Sequence, residues 1–218
     1  MTEDCDVYVK YPHHHKWFNK LWIAEQMGYV CGPGGVDIPE EGTYVIRPIY
    51  NLGGMGAGAS VKKLTKGDYS TCPPGYFWCE YLTGKHYSAN YRWKPDHITG
   101  GRWEGVSCWE GINMPLNVTK FVEWNRSDYI PDIDIRKHPE FKSLSDVKEI
   151  NVEWKGGDII EVHLRSSPDP DYDTLIPVWA SDLGPKKQHY ELHGFDFIES
   201  YDNSNGYIDD PRIGFFVK

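Results

Sequence analysis

The chain has 218 residues, 15% of them aromatic, and a formal net charge of −9. That is apolar mass enough for one domain or two small lobes sharing a core; the acidic balance argues against general nucleic-acid binding but leaves room for a locally basic pocket. No apolar run approaches the ~20 residues of a membrane span.

The start, MTEDCDVYVK, lacks the basic and apolar regions of a signal peptide. Five cysteines at unpatterned spacing fit a reducing compartment, not a disulfide framework. A cytoplasmic protein is expected, and the sequons at Asn117 and Asn125 carry no weight. Nothing here fixes an oligomeric state.

Residues 15–27, HKWFNKLWIAEQM, are predicted helical from the spacing of Trp17, Phe18, Leu21 and Trp22, with Gly28 as the stop. The preceding run His13–His15 reads as a solvated patch in preference to a metal site. TYVIRPIY (43–50) is a predicted strand that opens into NLGGMGAGAS (51–60). Gly53, Gly54, Gly56 and Gly58 let backbone N–H groups turn into one concavity, which suits phosphate oxygens. The loop matches neither the Walker pattern nor the dinucleotide fingerprint. Arg47, a fixed cation beside it, strengthens the phosphate reading.

YFWCEYL (76–82) and KHYSANYRW (85–93) are further predicted strands, as are segments near 103–109 and 118–124. Cys79 has no base partner in view and reads as a packing residue. DNSNGYID (202–209) lacks the alternating acids of a calcium loop and is set aside. A short apolar piece at 175–179 and a closing strand follow. Sparse helix and many short strands give an α+β class.

The hairpin INVEWKGGDIIEVHLR (150–165) is the most informative stretch. With a three-residue turn, Gly156-Gly157-Asp158, Val152 faces Val162, Glu153 faces Glu161, Trp154 faces Ile160, and Glu149 faces Arg165. Ile150, Val152, Trp154, Ile160, Val162 and Leu164 then share an apolar face. Glu149, Asn151, Glu153, Glu161, His163 and Arg165 share the other. Facing glutamates cost roughly 0.2–1 kcal/mol, so a positive group belongs between them: Lys155, Arg165, or a divalent cation.

Taken in order, TYVIRPIYNLGGMGAGA, YFWCEYLTGKHYS and INVEW…IIEVHLR resemble the phosphate lid, hinge and metal-binding signatures of the ATP-grasp family of carboxylate–amine ligases. The resemblance covers roughly residues 16–165. It implies two α+β lobes with mostly antiparallel sheets around a nucleotide cleft, a single domain over 1–218 with a smaller lobe at about 13–92 and a larger one at about 93–218.

It further implies ATP with Mg²⁺ or Mn²⁺ as cofactors. Lys16, with Lys20 as rival, and Arg47 would meet the phosphates, and the loop Gly53, Gly54, Met55, Gly56, Gly58 would close over them. Glu80, Tyr81 and Leu82 would border the adenine, and His86 would stand at the ribose-binding position. Glu153, Glu161 and His163 fall on the metal-ligand positions. Arg165 falls on the arginine that steadies the transferred phosphate or acyl phosphate.

The implied substrates are a carboxylate and an amine, small molecules or protein. Three departures stand out: Arg47 for lysine, His86 for an acid and His163 for asparagine. Those at 86 and 163 support a second expectation, a catalytically inactive nucleotide-binding or structural protein; a third is an unrelated α+β protein whose hairpin charges are simply solvated. No counterpart of the family's preceding domain is expected, a compactness similar to minimal ATP-grasp proteins of bacteriophages, for which the compartment would be the host cytoplasm.

Overall fold

The computed structural model describes residues 3–53, 56–98, 100–114, 117–200 and 210–218. Gly54 and Met55 of the expected lid, and the segment 202–209, lie outside these residues.

The predicted helix at 15–27 is two elements. After α1 (Asp4–Lys10), a 3₁₀ helix runs over Pro12–Phe18, and α2 spans Lys20–Met27. Asn19 separates them because its extended backbone frees the side chain to accept a hydrogen bond from the Trp22 amide, an N-cap. Gly28 ends α2 with φ of 78°, the left-handed value a glycine takes without strain.

Two antiparallel sheets follow. The smaller has the order β1-β4-β2-β3, built from β1 (Cys31–Pro33), β2 (Gly42–Pro48), β3 (Ser60–Leu64) and β4 (Tyr76–Glu80). The larger begins with β5 (His86–Lys94), β6 (Arg102–Asn113), β7 (Phe121–Arg126), β8 (Glu149–Lys155) and β9 (Asp158–His163). It is completed by β10 (Thr174–Trp179), β11 (Asp196–Glu199) and β12 (Arg212–Val217), in the order β11-β12-β10-β7-β6-β5-β8-β9. α3 (Leu183–Leu192) lies between β10 and β11 in the chain. The change of sheet falls between Glu80 and His86, so β5, expected in the smaller lobe, belongs to the larger sheet.

The hairpin β8–β9 closes one end of the large sheet, with α2 against β9. Val152 faces Val162 and Glu153 faces Glu161, as the pattern predicts. Beyond that point the register differs: Trp154 faces Ile159 and Lys155 faces Asp158. The turn therefore has two residues, Gly156 and Gly157, with φ of 64° and 100°, the positive values that tight hairpin turns require. A bulge at Ile160 restores the glutamate pairing. Ile159, not Ile160, joins the core with Ile150, Val152, Trp154, Val162 and Leu164, packed against Trp17, Phe18 and Phe141.

Candidate functional site

The charged face of the hairpin forms the floor of a cleft between the two sheets, lined also by Lys20, Arg47, His86 and Arg165. Among the described residues, both facing glutamates have cationic partners. Lys20, a buried lysine at the start of α2, brings its Nζ to 2.5 Å from Glu161 Oε1. His163 Nε2 stands between the glutamates, 3.6 Å from Glu161 Oε1 and 3.9 Å from Glu153 Oε1. The positive group between the carboxylates is thus His163, with Lys20 behind Glu161. The two lysine and arginine candidates from the hairpin itself do other things. Lys155 Nζ reaches Asn113 at 3.4 Å, and Arg165 turns to the N-terminal helix.

That helix supplies a residue the sequence analysis does not identify. Asp4, 3% exposed, lies with Oδ2 2.8 Å from His163 Nδ1 and Oδ1 3.0 Å from Arg165 Nε. Burial pushes the Asp4 carboxyl up, but the His163 imidazolium and the Arg165 and Lys20 cations outweigh it and hold it at about 2. Burial likewise pushes His163 down, and the Asp4, Glu153 and Glu161 carboxylates override this, raising it to about 10. For Glu153, burial is opposed by His163 and then His86, which hold it well below the usual carboxylate range. Three carboxylates (Asp4, Glu153, Glu161) therefore face four cations (Lys20, Arg47, His163, Arg165). The innermost cluster is net positive inside an acidic protein.

Arg47, on β2, joins the sheets: its Nη2 donates to the Ile160 carbonyl at 2.9 Å, which the bulge turns toward the cleft, and its guanidinium lies over Phe77. Glu80 spends its carboxylate on the Val30 amide at 2.8 Å, leaving Tyr81 and Leu82 beside it as wall. In the described part of the glycine-rich loop Gly56 sits against the segment ahead of β7, where a Cβ would come within 3.0 Å of Thr119. Gly53 donates its amide to Asn51 Oδ1, and Gly56, Ala57 and Ala59 face the cleft. Gly58 has φ of 80° and no room for a side chain beside Tyr76.

Similar architectures exist. N5-carboxyaminoimidazole synthetase from Staphylococcus aureus, solved with ADP, superposes with a TM-score of 0.54 at 10% identity, covering 94% of this chain and 68% of that one. An ADP complex of N5-carboxyaminoimidazole ribonucleotide synthetase gives 0.52 at 11% identity, with 94% and 68% covered. The chain has an ATP-grasp fold. No protein-family model and no curated protein sequence matches it.

Set in an ATP-grasp fold, the expected site residues divide. Arg47, Glu80, Tyr81, Leu82, Gly56, Glu153, Glu161, His163 and Arg165 border one cleft. Lys16 does not: it is exposed, with Nζ over the Trp22 ring at 5.0 Å, and its rival Lys20 takes the place inside. His86 reaches the cleft from β5 with Nε2 3.4 Å from Glu153 Oε2 and its ring edge-on to Phe121 and Trp124. It therefore lines the cleft as a partner of Glu153, set among aromatics.

The oxygen donors Glu153 and Glu161 suit a hard divalent cation. His163 does not fit as a third ligand, because it is a nitrogen donor, held protonated, with Nδ1 given to Asp4. Asp4 carries no sequence signal, since nothing in MTEDCD ties it to residue 163. Lys20 had one, as the first helical residue after an asparagine cap.

Proposed function

We propose that this protein binds ATP in the cleft and uses it to activate a carboxylate for attack by an amine, as an ATP-dependent ligase working through an acyl phosphate. The observation that supports this best is the meeting of Glu153, Glu161, Lys20, Arg47 and Arg165 on one floor beneath a glycine-rich loop. A triphosphate entering the cleft offers Lys20 and Arg47 stronger anionic partners than Glu161, which frees the glutamates. Glu153 and Glu161 would then hold Mg²⁺ or Mn²⁺. The bound ion would neutralise phosphate charge during phosphoryl transfer.

The chain's own groups do the rest. Lys20 and Arg47 place the phosphates, the amides of the glycine-rich loop close over them, and Arg165 receives the carboxylate being activated. The wall at Glu80–Leu82 borders the base. No nucleophilic side chain is needed, in keeping with the buried thiol of Cys79, which burial pushes up and away from reactivity. The lobes act as one unit, in a cytoplasmic setting such as that of an infected host. Among the described residues no helix is long and apolar enough to cross a membrane.

A second reading, nucleotide binding without turnover, is favoured by one observation: Asp4 already occupies Arg165 and His163. The test is thermal unfolding with and without Mg·ATP. At about 100 times its dissociation constant ATP stabilises by about 2.7 kcal/mol, and no shift at saturation overturns both readings. ADP release with pooled carboxylates and amines, abolished in Glu161→Gln, supports the ligase. A thermal shift with no ADP release from wild type supports the second reading.

A further inference from the structure

The histidine run outside the cleft is not the solvated patch its sequence suggests. His15 stacks on Tyr8 with ring centroids 3.6 Å apart and gives Nε2 to the Tyr8 carbonyl. His13 and His14 turn the other way, toward the turn ahead of β8. His14 Nε2 lies 2.8 Å from Asp146 Oδ1, and His13 Nε2 lies 2.9 Å from Asp146 Oδ2. The two imidazoles are 4.1 Å apart and tilted by 49°. Among the described residues, this is the group of His, Cys, Asp and Glu side chains whose donor atoms all fall within 4.8 Å of one another.

We propose that His13, His14 and Asp146 form a binding site for a borderline divalent metal of the zinc kind. Two imidazole nitrogens and one carboxylate oxygen are the donor types such ions prefer. Bond lengths of about 2.0–2.2 Å place neighbouring donors of a tetrahedral site about 3.4 Å apart. His14 Nε2 lies 2.8 Å from one Asp146 oxygen and His13 Nε2 2.9 Å from the other, and one donor atom from each of the three residues lies within 4.8 Å of the other two, a range that includes that value. Small side-chain adjustments therefore admit the ion.

The surroundings suit the role. His14 is buried, which fixes one ligand, while His13 and Asp146 are more than half exposed, which opens a path and leaves a coordination position to water or a further ligand. The site joins the 3₁₀ helix to a turn 132 residues away. An ion there fastens the N-terminal segment to the sheet whose β8 carries Glu153.

The experiment uses the tag-free full chain, freed of metal by a chelator, titrated with Zn²⁺ and with Co²⁺. One equivalent should bind, Co²⁺ should develop the visible bands of a nitrogen- and oxygen-ligated ion, and the melting temperature should rise with Zn²⁺. His13→Gln and Asp146→Asn should each weaken binding by an order of magnitude or more. Because His13 is exposed, His13→Gln should melt like wild type without metal, which separates ligation from folding. Two controls bear on other donors: Glu161→Gln in the cleft, and His189→Ala in the exposed His189–His193 pair of α3, whose rings are 4.6 Å apart. Both should bind as wild type does. Equal affinity in wild type and Asp146→Asn, or loss of binding in either control, overturns the assignment.

Discussion

The hairpin floor and the N-terminal segment contribute to the same cluster in different ways. On β8 and β9 the charged floor residues follow from alternation within fifteen residues, and Glu153 faces Glu161 as that alternation requires. The segment from Asp4 to Lys20 sends in two side chains from far away; Asp4 meets His163 across 159 positions. The floor decides which charges are present. The N-terminal segment decides which of them are paired, and hence their protonation. A glutamate pair that looks like a vacancy for a metal becomes, once Asp4 and Lys20 arrive, a filled ion network.

The largest expected effect comes from removing that distant contribution. Asp4→Ala leaves the buried His163 and Arg165 without their carboxylate and should cost about 3–5 kcal/mol in chemical denaturation. A loss under about 1 kcal/mol would mean that α1 merely rests on the floor. The pH profile sharpens the comparison. Asp4, lowered from 3.8 to about 2, contributes stability that is full above 3.8 and lost as pH falls through 2. His163, raised from 6.5 to about 10, contributes stability that is full below 6.5 and lost as pH rises through 10. Wild type should therefore be most stable between these limits, with both limbs flattened in Asp4→Ala.

Much of the floor was legible because a strand exposes its design in two-residue steps. What escaped was any feature that needs a partner outside the strand. The pairing near the turn differs because Thr83 and Gly84 pack directly onto Gly156, where a Cβ would lie 2.2 Å from the Thr83 carbonyl oxygen. A bulge then lets Ile159 stay inside while Ile160 turns its carbonyl to Arg47. The consequence is a contrast between neighbours. Ile159→Ala, at 1% exposure, should cost about 2–5 kcal/mol. Ile160→Ala should cost clearly less and act on ligand affinity, since that side chain lines the cleft. Equal stability losses would restore the three-residue turn. The strands β2, β4 and β5 were legible for the same local reasons, whereas α1, β1, β3, α3 and β11 carry too few residues or too weak a periodicity to be read singly.

The smallest expected effect lies at the other end of the same hairpin. Glu149 was expected opposite Arg165, but Asp4 holds that arginine, and Glu149 pairs instead with Arg92 at 2.7 Å and with the Ser166 hydroxyl. Arg92 is exposed and Glu149 partly so, with 46% and 30% of their side-chain surface open to water. Water and salt screen such a pair, so a double-mutant cycle with Arg92→Ala and Glu149→Ala should give a coupling below about 1 kcal/mol. The equivalent cycle with Asp4→Ala and Arg165→Ala should give several times more, because that pair lies out of water. The two pairs share chemistry and differ in burial and in where the acid comes from, so the ratio measures what the N-terminal segment adds. Similar couplings would show that water reaches Asp4 as freely as it reaches Glu149, and the floor would then hold its charges without help from α1.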